Sequence, residues 1–168
     1  MLGIHFSIES NRKIQPVLTT NQDNDVLFAD RVLKMSPDFK LIQFQLIITK
    51  KRFYLFKESS GNIKEQVTLK TIDNVNLSHQ SDNFLLIRLQ DRDDIFLVSR
   101  RKIEIISVLS KCWDRSSVFP LAITDRFRYT HPNGNKYAII FLRTEHGVDT
   151  EIYLEIKSNQ VDPKKKVE

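Results

Sequence analysis

In the stretch RVLKMSPDFKLIQFQLIITKKRFYLFK, residues 31–57, the apolar Ile42, Phe44, Leu46 and Ile48 alternate with Gln43 and Gln45. Side chains two apart along an extended chain share a face, so this run predicts a β-strand with one apolar side. A turn at Ser36-Pro37-Asp38 separates it from VLFADRVLK before it, and Lys50-Lys51 separates it from RFYLFK after it, which makes three consecutive strands with short connections. The same stretch holds seven cations, Arg31, Lys34, Lys40, Lys50, Lys51, Arg52 and Lys57, against one acid, Asp38. Positive side chains fixed on a rigid β-scaffold favour a polyanionic partner.

Outward from this core, Ser59-Ser60-Gly61-Asn62 closes a hairpin to a fourth strand at 65–69. Strands at 84–90 and 95–99 flank the charged turn Asp91-Arg92-Asp93-Asp94. Ser99 can cap a helix over 100–113, where Ile105, Ile106, Leu109, Cys112 and Trp113 recur on one face as core residues. Beyond Pro120, LAITDRFRYT and KYAIIFLR bracket Asn133-Gly134, a pair that tolerates positive φ at both turn positions, and EIYLEIK (151–157) adds a strand. The apolar residues Ile4, Phe6, Ile8, Ile14, Val17 and Leu18 suggest an N-terminal arm or strand.

This pattern of roughly eight to ten short strands and one amphipathic helix predicts a mainly β fold, a curled antiparallel sheet or small barrel with the helix over an open end. The expected organisation is an arm at 1–25, a barrel with its capping helix at 26–115, additional strands of the same domain at 116–158, and a basic tail at 159–168 containing Lys164–Lys166.

A chain of 168 residues is the size of one domain, and its 40% hydrophobic residues and eleven Phe can build a core without metal or disulfide. Cys112 is the only cysteine. No apolar run approaches the roughly 20 residues of a membrane span, and the N-terminus lacks a signal-peptide layout, so a cytoplasmic protein is expected. The four histidines lack ligand-spaced partners, and among four glycines there is no phosphate loop or nucleophile elbow. No catalytic residue, metal or cofactor is expected, and no motif points to nucleic acid.

DVLFADRVLK, then LIIT followed by KRFYLFK, then Leu77-Ser78-His79-Gln80-Ser81-Asp82-Asn83, then RRKIEIISVLSKCW, in this order over about residues 25–143, resemble the tail homology 1 domain of class I myosins. The resemblance implies a pleckstrin-homology-like antiparallel barrel capped by one helix, with a further C-terminal hairpin or meander. It also implies attachment of a motor to acidic phospholipids or phosphoinositides, peripherally at the plasma membrane, cell cortex or endosomal membranes. The motor ATPase, actin and light-chain sites would lie in a head and neck outside this chain, which reads as a tail fragment. The family's phosphoinositide signature begins at a Lys, here Lys34, while its later basic positions fall on Gln43 and Gln45, or on Ile42 and Phe44 with a turn one residue shorter.

Lys34, Lys40, Lys50, Lys51 and Arg52 are therefore the primary lipid-binding candidates, expected to share one exterior patch. Arg31, Gln43, Gln45, Arg100, Arg101 and Lys102 are secondary ones. Each cation near an anionic leaflet contributes about 1 kcal/mol, so the attachment should be salt-sensitive. Restoring Arg at Gln43 and Gln45 is expected to raise phosphoinositide preference. The alternative is a protein-interaction module of the same fold that meets an acidic protein partner.

Overall fold

The computed structural model describes residues 12–114 and 116–155. The three leading strands form as expected: β1 (Val26–Met35), β2 (Leu41–Thr49) and β3 (Arg52–Lys57), in antiparallel register with Val32 opposite Phe44 and Leu46 opposite Leu55. After β4 (Ile63–Thr68), a 3-10 turn at Leu69–Thr71 leads the chain into β5 (Ile72–Leu77), β6 (Phe84–Leu89) and β7 (Ile95–Val98). β7 then returns to β1, with Leu33 opposite Val98. Helix α2 is preceded by a seven-residue helix α1 (Ile14–Thr20) and spans Lys102–Cys112, inside the expected 100–113.

The main sheet runs β4-β3-β2-β1-β7-β6-β5-β8, where β8 (Leu121–Ile123) joins parallel to β5. This is the mainly β, pleckstrin-homology-like arrangement. The sheet stays open as a sandwich instead of closing into a barrel, because the 3-10 corner separates β4 from β5. Its interior holds Phe44, Leu46 and Ile48 of the apolar face of β2, together with Ile105, Ile106, Val108 and Leu109 of α2. Ile42, at the far end of that face, is exposed.

Two further layers cover the outside. β9 (Arg126–Thr130), β10 (Lys136–Thr144) and β11 (Gly147–Leu154) form a second sheet whose Phe127, Tyr129, Tyr137, Ile139 and Phe141 pack on Met35, Leu86 and Phe96. The loop joining β9 to β10 differs from the expected two-residue turn. Gly134 alone has positive φ (83°), with its N–H donating to His131 O at 2.8 Å, because Pro132 holds its own φ negative.

The second outer layer is α1, where an arm or strand was expected. A seven-residue helix is marginal alone. Ile14 and Leu18 bury fully against Ile47, Tyr54 and Phe56, stabilising it by about 2 kcal/mol each. Residues 1–11 and the basic tail lie outside the described residues.

Candidate anion-binding surface

β2 separates its two flanking turns by nine residues, roughly 30 Å of extended chain. Lys34 and Lys40 stand at one end of this ladder and Lys50, Lys51 and Arg52 at the other. The single patch expected from the sequence is therefore two separate ends, because successive antiparallel turns alternate between them.

At the first end, Lys34 donates to Glu65 of β4. Arg92 lies 3.9 Å from Glu65 and 3.7 Å from Asp91, and Arg88 lies 3.6 Å from Asp94. Burial pushes the Asp94 carboxyl up, opposed by the Thr130 N–H donating to it at 3.0 Å. The small cavity here, about 160 Å³, is lined by Lys34, Glu65, Arg92, Asp93, Asp94 and Tyr129 among others. The second sheet is pinned across the β1–β2 turn: His131 Nε2–H donates to Pro37 O at 2.6 Å, and the ring stacks on Phe39 at 5.0 Å. Lys40 is exposed without an ion-pair partner among the described residues.

The two glutamines are not equivalent. Gln43 is exposed, whereas Gln45 is only 5% exposed, and its Oε1 has no hydrogen-bond partner among the described residues. Two residues from Ile47, Gln45 shares the face that α1 covers. It is thus withdrawn from any external ligand.

Three of the secondary cations have carboxylate partners, Arg31 at the surface and Arg101 and Lys102 deeper in the fold. Arg31 lies 2.6 Å from Glu58, and Lys102, buried, lies 3.2 Å from Asp82. Arg101 contacts Glu104 at 2.5 Å and Asp30 at 3.2 Å, over the Phe28 ring. Glu104 also answers the cost of cations in a first helical turn, since a carboxylate there favours the macrodipole. Arg100 is exposed without an ion pair among the described residues.

The second end differs. Lys50, Lys51 and Arg52 meet Lys70 of the 3-10 turn and Cys112, Trp113, Asp114 and Ser117 at the close of α2, around a cleft of about 760 Å³. Thr49 Oγ1 shapes the turn by accepting the N–H groups of Lys51 (3.3 Å) and Arg52 (3.1 Å). Lys51 O accepts the Leu69 N–H at 2.9 Å and ties the turn to the 3-10 corner.

Arg52 is held from behind. Its guanidinium donates to Asp23 at 2.8 Å, and Tyr54 Oη donates to the same carboxylate oxygen at 2.5 Å. Burial would raise the Asp23 carboxyl, but hydrogen bonds from Tyr54 and Arg52 outweigh it and hold the pKa below its ordinary value. Burial and the bond to Asp23 push Tyr54 up to about 12. Lys50 pairs with Asp25 at 3.0 Å, both well exposed, a contact worth little in water. Lys51 and Lys70 are exposed with no ion-pair partner among the described residues, and Lys111, exposed in the last turn of α2, adds charge where the macrodipole welcomes it. Burial raises the Cys112 thiol, opposed by the charge of Lys50.

Sequence reasoning missed Lys70, because β5 and its preceding corner carry no alternation. Trp113, read as a core residue, packs on the core only in part. The ring is half-buried, edge-on to Phe119 at 5.5 Å, with Nε1–H donating to Ser117 Oγ at 3.1 Å.

The sandwich and its capping helix define a pleckstrin-homology-like fold, with a cation-lined cleft at one end. Residues 2–166 match the unconventional myosin tail family, described as actin- and lipid-binding, and the chain belongs to that family. It is 27% identical over 128 residues to myosin IB heavy chain of Dictyostelium discoideum, covering 71% of this chain and 11% of that protein. Myosin IC heavy chain of the same organism is 25% identical over 161 residues, with 92% and 12% covered, and myosin heavy chain IB of Acanthamoeba castellanii 26% over 151, with 84% and 13%. The chain thus spans about an eighth of the length of these relatives. The resemblance to class I myosin tails read from the sequence holds. Among the described residues no helix is long and apolar enough to cross a membrane.

Proposed function

We propose that this domain attaches its protein to acidic phospholipid bilayers through the α2-capped end, without catalysing a reaction. The observation that carries this is the cleft where Lys50, Lys51, Arg52 and Lys70 converge while Lys51 and Lys70 keep their charge unpaired among the described residues. At about 1 kcal/mol for each cation near an anionic leaflet, the two unpaired lysines supply roughly 2 kcal/mol, a reversible attachment that salt weakens. Because the class I relatives are motor heavy chains, the attachment would tether a motor at the cytoplasmic face of plasma or endosomal membranes.

The preference among acidic headgroups is small. The signature Lys34 is engaged by Glu65, Gln45 is buried, and the surrounding cavity is rich in carboxylates, so a phosphoinositide meets no dedicated pocket at that end. Sedimentation with phosphatidylcholine vesicles containing increasing phosphatidylserine tests the proposal. Bound protein should rise with anionic content, fall steeply from low to physiological salt, and be lost in Lys51→Glu/Lys70→Glu. Binding indifferent to anionic content and salt would overturn it.

A further inference from the structure

Beside the cleft, the chain leaving α2 exposes an apolar side chain with nothing over it. Val118 is 91% exposed, the most exposed large hydrophobic residue among those described, whereas Leu41 and Ile42 near the opposite turn are 44% and 41% exposed. Val118 follows Ser117, which lines the cleft, and precedes Phe119, whose ring packs on Trp113. The projecting residue is thus mounted on a supported base. The Trp113–Ser117 hydrogen bond and the Asp114 carboxylate accepting the Ser116 N–H at 3.0 Å brace the chain just before Val118. Leu121 begins β8 immediately beyond, hydrogen-bonded along β5, so the far end of the segment is anchored in the main sheet.

We propose that Val118 is a membrane wedge: the segment 116–119 enters the headgroup–acyl boundary of an acidic bilayer while Lys51 and Lys70 hold the surface from beside it. The inference rests on the reading of this end as the membrane-facing one and adds an orientation and a depth to it. The occupant is a bilayer because an apolar tip flanked by unpaired cations complements a surface whose outer layer is anionic and whose inner layer is hydrocarbon. A soluble acidic partner would satisfy the lysines and leave Val118 in water. The wedge also gives Trp113 a place at the level of the headgroups, where an amphipathic ring is favourable.

Trp113 is the only tryptophan in the chain, so its fluorescence reports on this corner alone. The full chain is titrated with vesicles of phosphatidylcholine containing 30% phosphatidylserine, about a third anionic to engage the lysines, and with the same vesicles carrying brominated acyl chains as quenchers. Wild-type protein should show a blue-shifted emission and quenching by bromines set high on the chain. Val118→Asp should bind about five- to tenfold more weakly and lose the quenching, whereas Val118→Phe should bind more tightly. Substitutions at so exposed a position leave the fold intact, which circular dichroism verifies. Binding by wild type that Val118→Asp reproduces, with Trp113 unquenched, would overturn the wedge and leave the electrostatic attachment standing. Failure of wild type to bind the acidic vesicles would overturn both.

Discussion

The two ends of the β1–β3 ladder hold comparable cations in sequence and differ in how many of them a carboxylate engages in space. At the β1–β2 end, Lys34, Arg88 and Arg92 each have a carboxylate within 4 Å, and the second sheet seals the turn through His131 and Phe39. At the β2–β3 end the one well-buried acid, Asp23, is spent on Arg52 from behind, which orients the guanidinium and leaves the neighbouring lysines facing out. Counting cations along a chain therefore says little about a surface. What counts is whether an acid from a distant strand reaches each one.

The largest expected effect separates the ends directly. Lys51→Glu/Lys70→Glu replaces two positive charges by two negative ones, a change of about 4 kcal/mol or roughly a thousandfold in vesicle partitioning at low salt. Lys34→Glu/Lys40→Glu, with the same formal change, should weaken binding less than tenfold. Equal losses from both pairs would erase the distinction.

Next in size is a consequence for folding. Gln45→Arg, which the signature alone would recommend, places a cation beneath α1 in register between Arg31 and Phe56. It should destabilise the domain by about 3 kcal/mol in urea unfolding without raising phosphoinositide preference, whereas Gln43→Arg, on the exposed position, should leave stability unchanged. A stable Gln45→Arg protein would mean that α1 does not cover this face.

Removing the acid behind Arg52 comes third. Asp23→Asn should cost about 2 kcal/mol, since a hydrogen-bonded charge is lost from a buried position. The pH dependence follows from the directions of the shifts. A carboxyl held below its ordinary 3.8 contributes stability that is complete above that value and is lost as the pH falls through the folded pKa. Tyr54, raised from 10 to about 12, contributes stability that is complete below pH 10 and is lost as the pH climbs towards 12. Thermal melts should show the acid loss shrink in Asp23→Asn and the alkaline loss shrink in Tyr54→Phe. Tyr129, also raised to about 12, keeps part of the alkaline loss.

The smallest effect concerns headgroups. At equal charge, a bisphosphorylated phosphoinositide should be preferred over phosphatidylserine by less than tenfold, about 1.4 kcal/mol. A hundredfold preference would point to a dedicated phosphate pocket and shift interest back to the first end.

Much of the fold was legible in the sequence because it rests on local periodicity. β1 to β3 follow from alternation and short turns, and α2 from apolar residues at three- and four-residue spacing. The misses share a cause. α1 carries Pro16 and too few residues to declare itself, and exists through Ile14 and Leu18 packing on strands about thirty to forty residues later in the chain. β5, with Asp73, Asn74 and Asn76, lacks an alternating apolar face. The candidate site was half legible: Lys50, Lys51 and Arg52 were read, while Lys70 and the mounting of Val118 depend on where the 3-10 corner and the end of α2 come to rest.

By itself the sequence determined most of the strands, the capping helix, the family and the excess of positive charge, properties that rest on local periodicity, short motifs and composition. Tertiary structure alone decided which of those charges remain available, because the partners that engage Lys34 and Lys102 stand 31 and 20 residues away. Coulomb attraction depends on distance in space, and only the folded chain sets that distance.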